Sequence, residues 1–288
     1  MELAYEVVDV FTDTAFTGNP LAVVLGADDL STAQCQALAR EFNLSETAFP
    51  MPAGDGADYR LRIFTPTTEL PFAGHPSVGA AWVLLQRGTI GPGRVVQECG
   101  AGLLALQVAT DRVTLSGGAP TVGEPRDPSP LLAGLGLSRD DLDGSVRDAS
   151  CGLAFTVVPV VAGALARLHP DLVALRLLDL GAGGAYGGVS VVHVDGTDVR
   201  ARVLAFEAGV DEDPATGSAA LGLGAWLVAE GRAADGTTAY EVVQGVELGR
   251  PSRLSCTVTA EAGVAVGCTV SGQVVPVASG RIRLPPAS

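Results

Sequence analysis

The chain contains no lysine, because all 18 of its basic residues are arginine. Without lysine, no Schiff base to pyridoxal phosphate or to a carbonyl substrate can form, and a P-loop is excluded. The 32 acidic residues bring the formal net charge to −14. A surface this acidic repels a phosphate backbone, so we expect no nucleic-acid partner.

Histidine and cysteine are also scarce and scattered. The three histidines (His75, His169 and His193) lack the i, i+4 spacing of a zinc-binding helix. The five cysteines are an odd number and include no Cys-x-x-Cys pair. Cys99 and Cys151 precede glycine, as in cofactor-independent racemases, but neither opens a predicted helix. We therefore expect no metal site and no disulfide framework, and we interpret these two cysteines as structural.

No apolar run is long enough to span a bilayer, and the acidic N-terminus lacks the layout of a signal peptide. We therefore expect a cytoplasmic protein without a membrane partner. Apolar residues make up 47% of the chain and charged residues 17%, which is typical of a compact globular protein. A length of 288 residues suits one large domain or two of ordinary size.

Two short segments, residues 71–81 and 212–220, form a weak internal repeat. Each has a glycine-bearing turn and small residues that open an apolar helix, and an arginine-led strand precedes each about ten residues earlier. The repeat predicts two similar halves. A stretch rich in Gly, Pro and Asp, residues 117–130, indicates the boundary. We expect an N-terminal domain over 1–117 and a C-terminal domain over 118–276, with a final strand near 277–288 returning to the first.

Hydrophobic periodicity predicts an α+β layout in which strands pack around one long apolar helix in each half. The main predicted helices cover residues 31–42, 77–86 and 218–230, and the main predicted strands include 59–64, 272–277 and 280–284. Ser31 is the expected N-cap of the first helix. No Gly-x-Gly-x-x-Gly follows a strand, so a dinucleotide-binding fold has no support.

Three residues are candidates for acid–base chemistry. Glu46 lies among apolar neighbours in a loop or short extended piece, and burial there would raise its pKa toward the range useful for catalysis. Spacing alone favours a simpler role for Glu46 in a capping turn. His75 precedes Pro76 at a predicted helix N-terminus, where a carboxylate or an ordinary capping role fits equally well. Asp213 is either an N-cap or part of a second anion-binding turn.

Short motifs follow one another along almost the whole chain. They are residues 9–12 (DVFT) with 18–20 (GNP), 43–47 (NLSET), 64–66 (FTP), 69–76 (ELPFAGHP), 212–218 (EDPATGS), and 244–245 (QG) with 249–252 (GRPS). In this order they resemble the PhzF (phenazine biosynthesis) family, within the diaminopimelate-epimerase-like fold. The resemblance implies two pseudo-symmetric domains, each a barrel-like, mostly antiparallel sheet wrapped around a central helix, with the active site in the cleft between them. It also implies a homodimer.

The resemblance further implies that Glu46 is the family acid, supported by His75, Asp213 and Ser218. In diaminopimelate epimerase the two turns carry catalytic cysteines, whereas the turns at Gly74 and Thr216 carry none. We therefore expect a single-carboxylate mechanism instead of a two-thiol racemase. Backbone N–H groups at the Gly74 and Gly217 turns, with Thr216 and Ser218, would bind the substrate.

These expectations together predict a cofactor-independent isomerase of secondary metabolism. Glu46 would move a proton within a small carboxylate-bearing metabolite, while His75 and Asp213 tune its protonation and hold polar groups of the substrate. Two alternatives stay open. The same base could drive a lyase reaction by β-elimination of water or an amine, which product mass would distinguish. The chain could also be a catalytically silent homologue that binds a small molecule.

Overall fold

The computed structural model describes residues 2–178, 180, 186–206 and 210–286, and strands predominate in it. The helices of this part are α1 Thr32–Phe42, α2 Gly74–Gln86, α3 Ser129–Leu135, α4 Leu172–Arg176 and α5 Gly217–Ala229, with 3₁₀ turns at Arg139–Asp141 and Leu165–Arg167. The strands are β1 Glu2–Val10, β2 Asn19–Leu25, β3 Glu46–Met51, β4 Tyr59–Phe64, β5 Glu69–Leu70, β6 Gly93–Cys99, β7 Gly102–Val108, β8 Val113–Ser116, β9 Thr121–Val122, β10 Arg147–Ser150, β11 Ala154–Pro159, β12 Tyr186–Asp195, β13 Asp198–Leu204, β14 Gly236–Gln244, β15 Ser252–Glu261, β16 Val264–Gly272 and β17 Val274–Arg283. None of these helices is long and apolar enough to cross a bilayer.

The chain divides into two compact units. The first comprises Met1–Ser116 and Ser271–Ser288, and the second comprises Gly117–Val270. Met1 and residues 287–288, which the predicted domain ranges include, lie outside the described residues.

The first unit is a sheet packed around α2. β1 pairs antiparallel with both β2 and β17, β2 runs parallel to β3, and β6, β7 and β8 form an antiparallel meander. Almost every residue of α2 is buried, because the helix is apolar on all sides and contacts strands around it. Gly79 permits close packing, since a Cβ there would lie 2.6 Å from Leu21 Cδ2 and 2.8 Å from Val10 Cγ2.

Helix α2 begins at Gly74, three residues before the predicted start at Ser77. The predicted start at Ser77 was wrong, although His75 was correctly expected at the helix N-terminus. A proline within the first turn costs no hydrogen bond, since the N–H groups of that turn have no intrahelical acceptor. His75 therefore lies inside the first turn of the helix.

The second unit repeats this design around α5. The helix contacts β9, β10, β11 and β15, and its sequence is apolar on every side. Gly222 allows α5 to approach β10 closely, because a Cβ there would lie 2.8 Å from the carbonyl oxygen of Ala149. A further layer of α3 and α4 packs with β11–β13 around Leu135 and Leu175, both fully buried.

Local signals gave some elements correctly and misplaced others. Ser31 caps α1 through a capping box, because its hydroxyl accepts from Gln34 N and the Gln34 side chain accepts from Ser31 N. The end of the chain differs from the prediction, since β16 and β17 replace strands at 272–277 and 280–284. Gly280 does not interrupt β17. It pairs with Tyr5, and its missing side chain leaves room for the Tyr5 ring.

Candidate functional site

Glu46 opens β3 in the first unit and is 8% exposed. Parallel pairing with β2 sets Glu46 opposite Leu21. Because it begins a strand, Glu46 does not cap a helix. The neighbouring Ser45 hydroxyl donates to Asn19 Oδ1 at 3.2 Å.

His75 lies beside Glu46 within the same unit. Its Nε2 is 3.5 Å from Glu46 Oε2, and its Nδ1 is 3.3 Å from the Asn19 amide nitrogen. The imidazole is 4% exposed, and burial lowers the pKa of His75 to about 3. His75 is therefore neutral at physiological pH. The structure thus brings together two of the predicted catalytic residues.

The first turn of α2 is held in place by a chain of buried hydrogen bonds. The Ser77 hydroxyl donates to the Ala73 carbonyl at 2.9 Å, and Gln97 Nε2 donates to the Ser77 hydroxyl at 3.0 Å. The Tyr59 hydroxyl in turn donates to Gln97 Oε1 at 2.8 Å. This chain fixes the backbone that carries Gly74 and His75.

In the second unit, Asp213 is tied to the residue that caps α5. Thr216 is the N-cap, and its hydroxyl donates to Asp213 Oδ2 at 2.6 Å. The backbone N–H of Asp213 donates to the Val203 carbonyl at 2.9 Å. Asp213 is 7% exposed. The alternative that made Asp213 the N-cap is therefore wrong, because the cap is one turn further along and Asp213 binds its hydroxyl.

Gln244, at the end of β14, completes this second cluster. Its Oε1 accepts from Thr216 N at 3.2 Å, and its Nε2 donates to the Asp213 carbonyl at 2.7 Å and to the Thr216 hydroxyl at 3.0 Å. The backbone N–H and the hydroxyl of Thr216 are thus both engaged within the protein. Gly217 and Ser218 begin α5, where N–H groups lack intrahelical acceptors, and Ser218 is only partly buried.

An arginine–glutamate pair precedes each of the two turns. Arg62 contacts both carboxylate oxygens of Glu69 at 2.7 Å. Arg202 contacts both oxygens of Glu212 at 2.9 and 2.8 Å. Two-pronged pairs of this kind fix direction as well as distance. The arginine-led strands seen in the sequence therefore anchor the segment that leads into each turn.

Three polar residues of these clusters had no predicted role: Asn19, Gln97 and Gln244. Asn19 and Gln244 stand in the motifs that carry the family resemblance, which was the available signal. Gln97 lies in an ordinary strand and gives no signal. The partner of Asn19 is 56 residues away along the chain, that of Gln97 is 20 away and that of Gln244 is 28 away. Local sequence patterns do not reach that far.

The cysteines lie apart from this chemistry. All five are free and buried. Cys99 Sγ donates to the Gly102 carbonyl, and Cys151 Sγ donates to the Leu221 carbonyl. A hydrogen bond to Cys268, together with burial, raises the pKa of Cys151, which keeps it a thiol. Among the described residues, no three His, Cys, Asp or Glu side chains gather as a metal site requires.

The sequence is similar to those of known proteins. The sequence profile described as phenazine biosynthesis-like protein matches residues 8–280. The trans-2,3-dihydro-3-hydroxyanthranilate isomerase of Pseudomonas fluorescens is 36% identical, with 97% of this chain and 99% of that protein covered.

Solved structures agree on the fold. A Bacillus anthracis phenazine biosynthesis protein of the PhzF family has a TM-score of 0.89 at 25% identity, with 98% of this chain and 99% of that chain covered. A probable proline racemase from Agrobacterium radiobacter has a TM-score of 0.69 at 16% identity, with 99% and 94% covered, and this likeness concerns the fold alone. The predicted α+β fold, with sheets around central helices, is confirmed.

Proposed function

The chain belongs to the phenazine biosynthesis-like family and is a PhzF-like isomerase, and we propose that one carboxyl group, Glu46, carries the proton. The observation that supports this most strongly is the buried pair of Glu46 and neutral His75, 3.5 Å apart. A shuttle of this kind needs a carboxyl group shielded from water beside a fixed hydrogen-bond donor.

In the proposed reaction, the Glu46 carboxylate removes a proton from an acidified C–H bond of the substrate. The electron pair left behind spreads over the conjugated system, and Glu46 becomes a neutral carboxylic acid. The acid then returns its proton to a different carbon. No atom is gained or lost, so product and substrate have the same mass. With its pKa lowered to about 3, His75 is too weak a base to take the proton, and its Nε2 lies 3.5 Å from Glu46 Oε2.

We assign the cluster around Asp213 to substrate binding. Asp213 is fixed by Thr216 and Gln244, which suits a carboxylate that holds a polar substrate group in one position. The N–H groups at Gly217 and Ser218, and at Gly74 in the first unit, are candidates for a substrate carboxylate, because first-turn N–H groups favour anions. Thr216 contributes indirectly, since its own polar groups are engaged.

We propose a cyclic, unsaturated carboxylate as the substrate class. This proposal is supported by the P. fluorescens relative, which is a trans-2,3-dihydro-3-hydroxyanthranilate isomerase. We also propose a cytoplasmic homodimer that works without a cofactor. Size-exclusion chromatography tests the dimer. Turnover after exhaustive dialysis against a chelator tests the independence from a cofactor.

The central test is turnover of trans-2,3-dihydro-3-hydroxyanthranilate and related cyclic carboxylates in heavy water. Deuterium should appear at the new bond in the fraction of turnovers in which the acid proton of Glu46 exchanges with solvent before it is returned, and the product should otherwise equal the substrate in mass. Glu46→Gln should slow this turnover by about 10²- to 10⁴-fold, because an amide cannot accept the proton. Glu41→Gln makes the same change at an exposed position of α1 and should leave turnover intact.

Two outcomes would contradict the proposal. Full activity of Glu46→Gln, with no deuterium in the product, would remove Glu46 from the mechanism. A product lighter by water or ammonia would indicate the lyase alternative, in which the same base drives an elimination.

A further inference from the structure

Asn19 links Glu46's neighbour Ser45 to the imidazole of His75. Asn19 is the first residue of β2 and is fully buried. The Ser45 hydroxyl donates to Asn19 Oδ1, which leaves the amide nitrogen, Nδ2, directed at His75 Nδ1 at 3.3 Å. In this orientation the amide oxygen accepts from Ser45 and the amide nitrogen faces His75.

This arrangement determines which imidazole nitrogen carries the proton. A neutral imidazole has one N–H and one acceptor nitrogen. Because an amide NH₂ can only donate, Nδ1 of His75 must accept, and the proton resides on Nε2. That nitrogen is the one 3.5 Å from Glu46 Oε2, and it makes no hydrogen bond within the part of the chain that the structure describes.

We propose that Asn19 is a positioning residue that holds His75 in the Nε2–H tautomer, with that N–H directed at Glu46. The proposal rests on the proposed function in giving Glu46 and His75 their catalytic roles. The Nε2–H group is then available to a substrate oxygen or to the Glu46 carboxyl group during proton transfer. In the opposite tautomer, Nε2 would present a lone pair to Glu46, and the donor would be lost.

Residues 11–18, which connect β1 to Asn19, have a constrained backbone. Phe11 and Phe16 both have positive φ angles, 63° and 68°, which are rare for bulky residues and persist only when the surroundings enforce them. Asp9 Oδ2 accepts from Phe16 N at 2.6 Å. Gly18 must be glycine, since a Cβ would lie 2.5 Å from the Val10 carbonyl oxygen. The contacts around this connection therefore enforce one backbone conformation ahead of Asn19.

His193, in the second unit, has the opposite arrangement and serves as an internal reference. Its Nδ1 lies 3.0 Å from the Val160 carbonyl oxygen. A carbonyl can only accept, so neutral His193 must carry its proton on Nδ1. The structure therefore assigns opposite tautomers to two histidines of one chain.

The test is long-range ¹H–¹⁵N NMR on the full chain labelled with ¹⁵N-histidine, at pH 8. The chain has three histidines, so His75→Gln and His193→Gln assign the signals by their disappearance. We expect a protonated Nε2 and a bare Nδ1 for His75, and the reverse for His193. A wild-type His75 with its proton on Nδ1, or with both nitrogens protonated, overturns the proposal without any Asn19 variant.

Asn19→Ala and Asn19→Asp then test the residue itself, with an unchanged His193 signal as evidence of folding. Without the amide donor, Asn19→Ala should give His75 a mixture of tautomers. In Asn19→Asp the carboxylate accepts, so the His75 proton should move to Nδ1. A folded Asn19→Ala or Asn19→Asp that keeps the pure Nε2–H form refutes the role of Asn19.

The NMR result does not depend on turnover, so the two proposals can fail separately. If Glu46→Gln keeps full activity while His75 has the expected tautomer, the proposed mechanism fails and the role of Asn19 in fixing the tautomer stands. Where a substrate is turned over, folded Asn19 variants should lose about tenfold or more in kcat with a smaller change in KM, because the donor acts in the transition state. Wild-type kcat in a variant whose tautomer has changed would show that the tautomer has no catalytic role.

Discussion

The first turns of α2 and α5 are built to one plan and differ in chemistry. Both helices have 13 residues, and a glycine at the sixth position of each permits close packing. Both turns are braced by a buried glutamine from the next strand along the chain, Gln97 in β6 and Gln244 in β14. The brace is therefore a property of the shared design and carries no information about catalysis.

The difference lies in what each glutamine holds. Gln97 binds the Ser77 hydroxyl and leaves the neighbouring His75 to face Glu46. Gln244 binds the Thr216 backbone N–H and the Asp213 carbonyl directly. At the first turn, His75 therefore lies beside the carboxyl group of Glu46. At the second turn, the N-cap Thr216 is hydrogen-bonded within the protein. We expect proton transfer at the first turn and binding at the second.

The largest expected effect is on turnover. Glu46→Gln should lower kcat by about 10²- to 10⁴-fold, the usual contribution of a general acid–base group. Asp213→Asn keeps an oxygen that can accept from the Thr216 hydroxyl and should cost roughly 10- to 100-fold, as expected for weakening one charged hydrogen bond. Steady-state kinetics on the two variants makes the comparison. An equal or larger loss in Asp213→Asn would reverse the assignment of roles.

A second prediction concerns how closely each helix is packed. In Gly222→Ala the new methyl meets the backbone oxygen of Ala149, which cannot move without shifting β10. In Gly79→Ala it meets the side-chain methyls of Leu21 and Val10, which can rotate. We expect Gly222→Ala to lose about 3 kcal/mol of unfolding free energy and Gly79→Ala about 1 kcal/mol. Urea denaturation measures both, and a greater loss in Gly79→Ala would contradict this reading of the packing.

A third prediction concerns the pH dependence of stability. The pKa of His75 is about 3 in the folded protein and about 6.5 when unfolded, so between these values the unfolded chain binds the extra proton. The contribution of neutral His75 is complete above pH 6.5 and is lost as pH falls toward 3. Relative to His75→Gln, the wild type should therefore lose about 1.4 kcal/mol per pH unit over that range.

Urea denaturation at several pH values between 4 and 7.5 measures this difference. His169→Gln changes an exposed histidine and is the matched control, for which we expect little change. A constant gap between the wild type and His75→Gln across this range would rule out a buried, neutral His75.

Local patterns and family resemblance gave different parts of this molecule. The capping box at Ser31 and the strand Tyr59–Phe64 follow from neighbouring residues, and both were predictable. The start of α2 was not, since a proline is equally compatible with a helix boundary and a first turn. Glu46 became the central acid only through the family resemblance, because spacing alone favoured a capping turn. Its catalytic role stays a prediction, although the structure brings it next to His75.

The positioning residues were beyond prediction for a physical reason. A side-chain amide gives the same local signal whether it faces water or a partner far along the chain. Gln244 reaches back 28 residues to Thr216, and Asn19 reaches forward 56 to His75. Only the folded chain fixes these pairs, because β-sheet pairing and helix packing decide which amides are buried together.

The buried thiols and the missing lysines have a practical consequence for labelling. All five cysteines are enclosed, and no side chain carries a primary amine. Maleimide dyes should therefore leave the folded wild type unmodified, and amine-reactive reagents have no side chain to attack. A single cysteine introduced at an exposed position, such as Glu41, would provide a unique attachment point for a fluorophore or a spin label.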